Sequence, residues 1–180
     1  MKTFLELVAK RQSDRAYSDR AVEQEKLERI LEAGRLAPSA CNAQPWKIIV
    51  VSDPEKRTQV AEACTSRALG MNHFSRQASL QLVIVEERAN FTSRLGGSLK
   101  QIHYPHLDLG ILASHLCLAA ADEDLGTCML GWLNEKKIRK ILDIPGDKKV
   151  VLVILLGYSA QENRPKKRKS KEEITSINSY

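Results

Sequence analysis

The stretch PHLDLGILASHLCLAAAD, from Pro105 to Asp122, has the period of a helix but almost no polar side. Leucine, isoleucine and alanine fall on nearly every side of that helix, so it has no face suited to water. In a chain of 180 residues, either a central position in the fold or a dimer interface would cover such a helix. The fold is therefore expected to be built around Pro105–Asp122.

The segments on either side predict alternating helices and strands. The expected helices are 4–10, 23–36, 54–64 and 134–142, and the expected strands are 46–52, 80–86, 127–130 and 150–156. Asp53 followed by Pro54 is a typical helix start, and Pro38 ends the helix before it. This order predicts an α+β fold with a mixed sheet covered by helices. One domain over residues 1–180 is expected, with a basic tail at 164–180.

The net charge of +6 comes from that tail. Residues 164–171 hold six lysine and arginine residues and no acid, whereas the rest of the chain has 22 basic and 22 acidic residues. A nucleic-acid-binding protein more often spreads basic residues over a face. The tail is thus either solvated or a local site for an anion such as a phosphate group, and no nucleic-acid partner is expected.

Several other classes of protein are disfavoured. The longest apolar run, Val150–Leu156, has seven residues, far short of the ~20 that span a bilayer. No export signal is visible, so we expect no membrane partner and a cytoplasmic location. The four cysteines have no CxxC spacing. His103 and His106 have Pro105 between them and no third ligand nearby in the sequence, so no metal site is expected.

Two arginines and a serine alternate directly after the first predicted helix, in the stretch RQSDR at 11–15. In extended or irregular backbone, Arg11, Ser13 and Arg15 would point the same way. Arginine is a rigid fork of donors, so this group suits an anion with several oxygens. Taken alone, the group is better explained as a polar junction between a helix and a loop.

Three other pieces are informative in combination. The loop PSACNAQPW at 38–46 joins a helix to a strand, where backbone donors and acceptors suit a flat heterocycle. The stretch GTCMLG at 126–131 ends in a glycine that would let the backbone approach a ligand. The stretch KKR at 166–168 belongs to the basic tail. Taken alone, the first is also compatible with an ordinary loop, and the second with a strand that ends in a turn.

In this order and spacing, the four pieces resemble the FMN-dependent nitroreductase family, over residues 4–173. The resemblance implies a central sheet with helices on both faces. It further implies an intertwined homodimer with FMN at the subunit interface and with C-terminal segments that cross to the partner.

The resemblance also implies which residues bind FMN. Arg11 and Ser13 would contact the phosphate and the ribityl chain, Arg15 would approach the N1/O2 edge of the flavin, and Pro38–Ala40 would reach the flavin of the other subunit. The backbone of Leu130 and Gly131 would lie near the flavin N5. The complete set expected from the resemblance is Arg11, Gln12, Ser13, Arg15, Pro38, Ser39, Ala40, Asn42, Asn72, Leu130, Gly131, Lys166 and Arg168.

Three features depart from the family pattern. Ser75 stands where a second cation is often found at the pyrimidine edge of the flavin, and Asp124 stands at a usual glycine. Asp tolerates a left-handed backbone, so the second change should be harmless. The connector Glu87–Lys100, of 14 residues, is short where many relatives carry a longer helical lid. Substrate choice is therefore the least transferable property.

The activity implied by the resemblance is ping-pong transfer of a hydride from NADH or NADPH, through flavin N5, to nitroaromatic, quinone or activated-alkene acceptors. No side chain has to act as a catalytic base, because the cofactor supplies the chemistry. The chain has no GxGxxG, so no separate dinucleotide domain is expected. Two alternatives stay open. One is the branch of the family that consumes its flavin to make a cobalamin-ligand precursor, and the other is a non-catalytic FMN-binding or regulatory protein.

Overall fold

Four antiparallel strands form the sheet in a computed structural model that describes residues 3–66, 68–88 and 102–180. The strands are β1 (Trp46–Val51), β2 (Leu80–Glu86), β3 (Gly126–Leu130) and β4 (Lys149–Gly157), in the spatial order β1-β2-β4-β3. A single parallel bridge joins Ser13 to Thr127, so among the described residues the sheet is mixed only at the β3 edge. The predicted strands are all present, with ends that differ by one residue at most.

Six helices surround the sheet in the described part of the chain. They are α1 (Phe4–Lys10), α2 (Gln24–Arg35), α3 (Pro54–Ala63), α4 (Tyr104–Asp122), α5 (Glu135–Ile141) and α6 (Lys171–Ile174), with short 3₁₀ turns at Ala40–Asn42 and His73–Gln77. Asp53 caps α3 by accepting from the Lys56 N–H at 2.8 Å, as its position before Pro54 predicts. The predicted α+β fold is confirmed.

Hydrophobic side chains pack on both faces of the sheet. Alternate residues of β2 and β4 point to opposite faces. Val83 and Val153 lie in a core cluster with α3 and α5, whereas Leu82 and Ile154 lie in a second cluster with α2 and α4. The sheet is therefore covered on both sides, as the resemblance implied.

The described part of the chain buries helix α4 on one side and leaves large apolar side chains exposed on another. Leu112 and Leu116 are fully buried against the sheet and α2. A Cβ at Gly34 of α2 would lie 2.7 Å from Leu116 Cδ2, so the two helices approach closely there. On the opposite side, Leu107 is 58% exposed and Ile111 is 37% exposed. The nearly all-apolar pattern of this helix thus leaves an apolar stripe at the surface of the single chain.

The C-terminal tail lies outside the core. Residues 162–180 are exposed throughout, and only the four-residue helix α6 interrupts their extended course. Among the helices that the structure describes, none combines the length and apolar character needed to cross a bilayer.

Candidate functional site

The segment after α1 runs alongside the sheet edge. The Asp14 N–H donates to the Thr127 carbonyl at 2.9 Å, and Ser13 bridges the same residue. Further on, the Ser18 N–H donates to the Tyr158 carbonyl at 2.9 Å. Extended backbone of this kind is what makes Arg11, Ser13 and Arg15 alternate with Gln12 and Asp14.

Asp14 anchors this segment. Its carboxylate is 4% exposed and accepts hydrogen bonds from Gln12 Nε2 at 3.0 Å, Ser159 Oγ at 2.8 Å and the Thr127 N–H at 3.2 Å. Gly126 is required beside it, because a Cβ there would lie 2.7 Å from Asp14 Oδ2. This role was not predicted from the sequence, because the partners of Asp14 are distant in sequence. The one available signal was a carboxylate within a stretch that begins and ends with arginine.

The basic tail docks on the same segment. Arg164 Nη2 donates to the Ser13 carbonyl at 3.0 Å, and the Arg164 N–H donates to Gln12 Oε1 at 3.1 Å. The Lys166 ammonium donates to the Arg11 carbonyl. Gln12 Nε2 also donates to the Glu162 carbonyl at 3.1 Å, so the Gln12 side chain is occupied in holding the tail.

Together the segment and the tail form a basic cradle around an open cavity of about 560 Å³. The residues that line it are Arg11, Gln12, Ser13, Arg164, Pro165, Lys166, Lys167 and Arg168. Burial, followed by the nearby charges of Arg11 and Arg168, lowers the pKa of the Lys166 ammonium. Since the described residues of the lining include several cations and no carboxylate, the cradle is suited to an anion with several oxygens.

The cradle brings together five of the expected cofactor-binding residues from opposite ends of the chain, namely Arg11, Gln12, Ser13, Lys166 and Arg168. It also includes Arg164 and Lys167, which the resemblance did not assign. Their presence in the charge run was the only sequence signal for them.

An apolar cavity of about 440 Å³ adjoins the cradle and shares Arg11, Lys166 and Arg168 with it. Its other lining residues are Phe4, Leu5, Val8, Ala9, Ser114, Cys117, Leu118 and Met129. The cradle therefore opens toward an apolar surface made by α1, α4 and β3.

Arg15 lies near the cradle but outside its lining. Its N–H donates to Gln161 Oε1 at 2.8 Å. Burial raises the pKa of the Cys128 thiol, while the charges of Arg15 and Arg11 and a hydrogen bond with Ser13 act in the opposite direction.

Leu130 and Gly131 end β3. Leu130 is buried in the core cluster with α3 and α5. A Cβ at Gly131 would have no heavy atom within 4 Å, so the protein itself does not require a glycine there. The backbone at Gly131 is open to a close approach from outside the chain.

Asn72 has a left-handed backbone with φ of 59°. Its Nδ2 donates to the Cys64 carbonyl at 3.0 Å, at the end of α3. The segment that follows Gly131 reaches the same place, where the Asn134 N–H donates to the Ala63 carbonyl at 2.7 Å. Asn72 and the end of β3 are therefore anchored on adjacent residues.

The structure shows the surroundings of two of the three departures from the family pattern. Ser75 is fully buried and donates to the Ala61 carbonyl at 3.2 Å, so it is packed into the fold. Asp124 has φ of 59°, as expected for a residue at a usual glycine, and pairs with Lys10. Apart from Glu87 and Arg88, the connector Glu87–Lys100 lies outside the described residues, and its effect on the pocket stays a prediction.

The loop at 38–46 has a positive φ at three residues that are not glycine. Cys41, Asn42 and Gln44 all have φ between 45° and 51°, a left-handed conformation that is strained for residues with a side chain. The loop is held to α4 because the Ala40 N–H donates to Asp108 Oδ1 at 2.9 Å. Ser39 Oγ accepts from the Gln44 N–H at 2.9 Å. Residues 38–42, which include the expected Pro38 and Asn42, line neither of the two cavities at the cradle.

The family profile described as the nitroreductase family matches residues 8–158. This chain belongs to the nitroreductase family. A provisionally named NADH dehydrogenase/NAD(P)H nitroreductase of Archaeoglobus fulgidus is 33% identical over 90% of this chain and 88% of its own length. The FMN reductase [NAD(P)H] of Bacillus subtilis is 24% identical over 100% of this chain and 75% of its own length.

Solved structures agree with this membership. The FMN-dependent nitroreductase of Clostridium difficile R20291 is 29% identical, with a TM-score of 0.80 over 98% of this chain and 100% of that one. A nitroreductase family protein of Clostridium novyi NT is 28% identical, with a TM-score of 0.78 over 88% of this chain and 86% of that one. The fold expected from the sequence is the fold of these family members.

Proposed function

We propose that this chain is an FMN-dependent oxidoreductase that passes a hydride from NADH or NADPH to a small organic acceptor in ping-pong turnover. Membership of the family, together with relatives named FMN reductase and NAD(P)H nitroreductase, supports this class of enzyme. The observation that carries the proposal is the basic cradle, whose cations converge from both ends of the chain without a carboxylate in its lining.

The chemistry of the cradle fits the phosphate of FMN. Arg11, Lys166 and Arg168 would neutralise the phosphate, and the Ser13 hydroxyl would donate to it. Bound FMN supplies the hydride chemistry at its N5 atom. Arg15 would stabilise negative charge at the N1/O2 edge of the ring, which favours acceptance of two electrons.

The other expected residues would offer a backbone group or an amide oxygen to the flavin, or would hold the tail in place. The open backbone at Gly131, with Leu130 before it, would approach N5. Gln12 is engaged with Asp14, Glu162 and Arg164, so we assign it to positioning the tail. The Asn72 amide is engaged with Cys64, which leaves its Oδ1 for a ring donor.

A homodimer would complete the site. Phe4 and Leu5 on α1 are exposed, as are Leu107 and Ile111 on α4, so both helices present large apolar side chains at the surface. The strained loop that holds Pro38, Ser39, Ala40 and Asn42 does not line the cradle of its own chain. We propose that it contributes to the flavin site of the partner.

Nitroaromatics, quinones and activated alkenes are the proposed acceptors, since the family resemblance implies them and a similar protein is named an NAD(P)H nitroreductase. The cytoplasmic location expected from the sequence stays a prediction.

Titration of FMN into protein stripped of flavin tests the cradle. Arg11→Ala and Arg168→Ala should each weaken FMN binding about tenfold or more, because each removes a charge-assisted contact worth roughly 1.5–3 kcal/mol. Lys169→Ala is the matched control, since Lys169 belongs to the same charge run but lies outside the cradle lining. Equal effects of all three variants would mean that the tail acts only as diffuse charge.

Anaerobic addition of NADH or NADPH tests the activity. The visible absorption band of the oxidised flavin should bleach and then recover when a quinone or a nitrofuran is added. A flavin that binds but does not bleach would identify a non-catalytic FMN-binding protein. A flavin that bleaches only in air and yields a new small product would identify the flavin-consuming alternative.

A further inference from the structure

Three side chains with metal-binding atoms converge where β2 ends and α4 begins. His103 Nε2 lies 2.8 Å from Glu86 Oε1, and His106 Nε2 lies 3.4 Å from Glu86 Oε2. One ligand atom from each of the three residues lies within 4.8 Å of the other two. This group stands apart from the basic cradle, which is lined by other residues.

The local fold explains why the group forms. His103 is the residue just before α4, and His106 lies in the first turn, so a spacing of three places both imidazoles on one side. Pro105 belongs to that first turn, where proline is tolerated, and does not separate the two histidines. Glu86 enters from β2, 17 residues before His103 in the sequence. The third ligand that sequence spacing lacked is therefore supplied by the fold.

The carboxylate in this group is incompletely satisfied. The Glu86 side chain is 16% exposed, and its buried Oε2 accepts no hydrogen bond from the described residues. The 3.4 Å approach of His106 is an ion-pair distance without hydrogen-bond geometry. A buried carboxylate oxygen in this position favours a cation.

We propose that Glu86, His103 and His106 bind a divalent transition-metal ion, with Zn²⁺ as the best fit. Two imidazoles and a carboxylate are the ligand set of many three-residue zinc sites, and they disfavour Mg²⁺ and Ca²⁺, which prefer all-oxygen ligands. The imidazoles are 55% and 48% exposed, which leaves room for water at a fourth position.

The distances between ligand atoms are near those of a metal site. Metal–ligand bonds of about 2.0–2.2 Å in tetrahedral geometry place neighbouring ligand atoms roughly 3.3–3.6 Å apart. The two observed Glu86–imidazole distances are 2.8 and 3.4 Å, and all three ligand atoms lie within 4.8 Å of one another. The half-exposed imidazoles would have to shift for all three atoms to reach one ion.

The ion would join the end of β2 to the start of α4. The same helix carries Asp108, which accepts from the Ala40 N–H and so holds the strained loop. A metal at Glu86 would thus fix the helix end nearest to that contact. This structural role is independent of whether FMN binds.

Isothermal titration of the EDTA-treated full chain with Zn²⁺ tests the site. One Zn²⁺ per chain should bind in the micromolar range or tighter, and Tm should rise on addition of Zn²⁺. Glu86→Gln, His103→Gln and His106→Gln should each weaken binding by at least about tenfold, since even indirect support of a ligand is worth that much. Far-UV circular dichroism and Tm in EDTA check that each variant is folded.

His115→Gln is the matched control, because His115 lies on the same helix and contacts its own Ile111 carbonyl. It should bind Zn²⁺ as the unchanged protein does. The proposal is overturned if His115→Gln loses as much affinity as His103→Gln, if a folded His103→Gln/His106→Gln double variant still binds one Zn²⁺ with unchanged affinity, or if millimolar Mg²⁺ displaces the ion.

Discussion

Replacing Asp14 by alanine should weaken both the fold and the flavin site. The Asp14 carboxylate connects three separate parts of the chain, through Gln12, the Thr127 N–H and Ser159. It is 4% exposed and lies between Ser13 and Arg15 in the segment that forms one wall of the cradle. Loss of this anchor is expected to loosen the segment without removing any group that would contact FMN.

The expected loss of stability depends on which acceptors remain for the three donors that now bind Asp14. Ser159 Oγ can turn to the Gln161 carbonyl at 3.2 Å, and Gln12 Nε2 keeps the Glu162 carbonyl at 3.1 Å. The buried Thr127 N–H loses its contact with the carboxylate, and such a loss costs about 1–3 kcal/mol. Removal of a buried charge recovers part of its desolvation cost, so we expect a net loss of about 1–2 kcal/mol. For a chain of this size, that corresponds to a Tm decrease of roughly 2–8 °C.

FMN affinity should fall on the order of threefold to tenfold, equivalent to about half of one charge-assisted contact. Urea unfolding and quenching of flavin fluorescence measure the two effects at one protein concentration, because assembly would shift apparent stability. Asp19→Ala is the control, since Asp19 is an exposed carboxylate in the same segment. The reasoning is refuted if Asp14→Ala stays within about 0.5 kcal/mol of Asp19→Ala. It also fails if stability falls while FMN affinity is unchanged.

Two further predictions concern the helix surface and the buried thiols. Ile111→Asp should give a folded chain that no longer dimerises or retains FMN, whereas Leu112→Asp, at a fully buried position, should prevent folding. Light scattering and circular dichroism separate the two outcomes. A dimeric Ile111→Asp variant would contradict the proposed interface. Burial raises the pKa of Cys64 to about 12 and that of Cys117 to about 11 from an ordinary value of 9.0. Above pH 9 the unfolded thiols lose protons that the folded state keeps, so the free energy of unfolding should fall between pH 9 and pH 11. Urea unfolding across this range should show a smaller decrease for Cys64→Ala, and an equal decrease would contradict the assignment.

Local sequence signals predicted the elements well. Asp53 and Asn134 act as the caps that their positions suggested, and α4 spans Tyr104–Asp122 where 105–122 was expected. These outcomes depend on neighbours within one or two turns, which sequence patterns describe directly. The apolar pattern of α4 was ambiguous, because burial within the chain and burial against a partner have the same sequence signal.

Long-range pairings explain what the sequence left open. The role of Asp14 depends on Thr127, which lies 113 residues away, and the ligand set of Glu86 depends on how β2 meets α4. The spatial strand order β1-β2-β4-β3 likewise follows from tertiary packing. No pattern within a window of a few residues contains these distances, although each residue taken alone was visible as a polar group.

The cradle and the tail depend on each other energetically. The tail is held by hydrogen bonds to the backbone carbonyls of Arg11 and Ser13 and to the Gln12 side chain, while the charges of Arg11, Lys166 and Arg168 repel one another. A dianionic phosphate among them would turn that repulsion into attraction and would also supply acceptors for the guanidiniums. A ligand that binds more tightly when the tail is docked than when it is undocked must also stabilise the docked tail. By linkage, the difference in binding free energy equals the gain in docking free energy. In the proposed enzyme the basic tail would therefore be part of the FMN-binding equilibrium itself, which would account for a concentration of charge that a solvated terminus would not need.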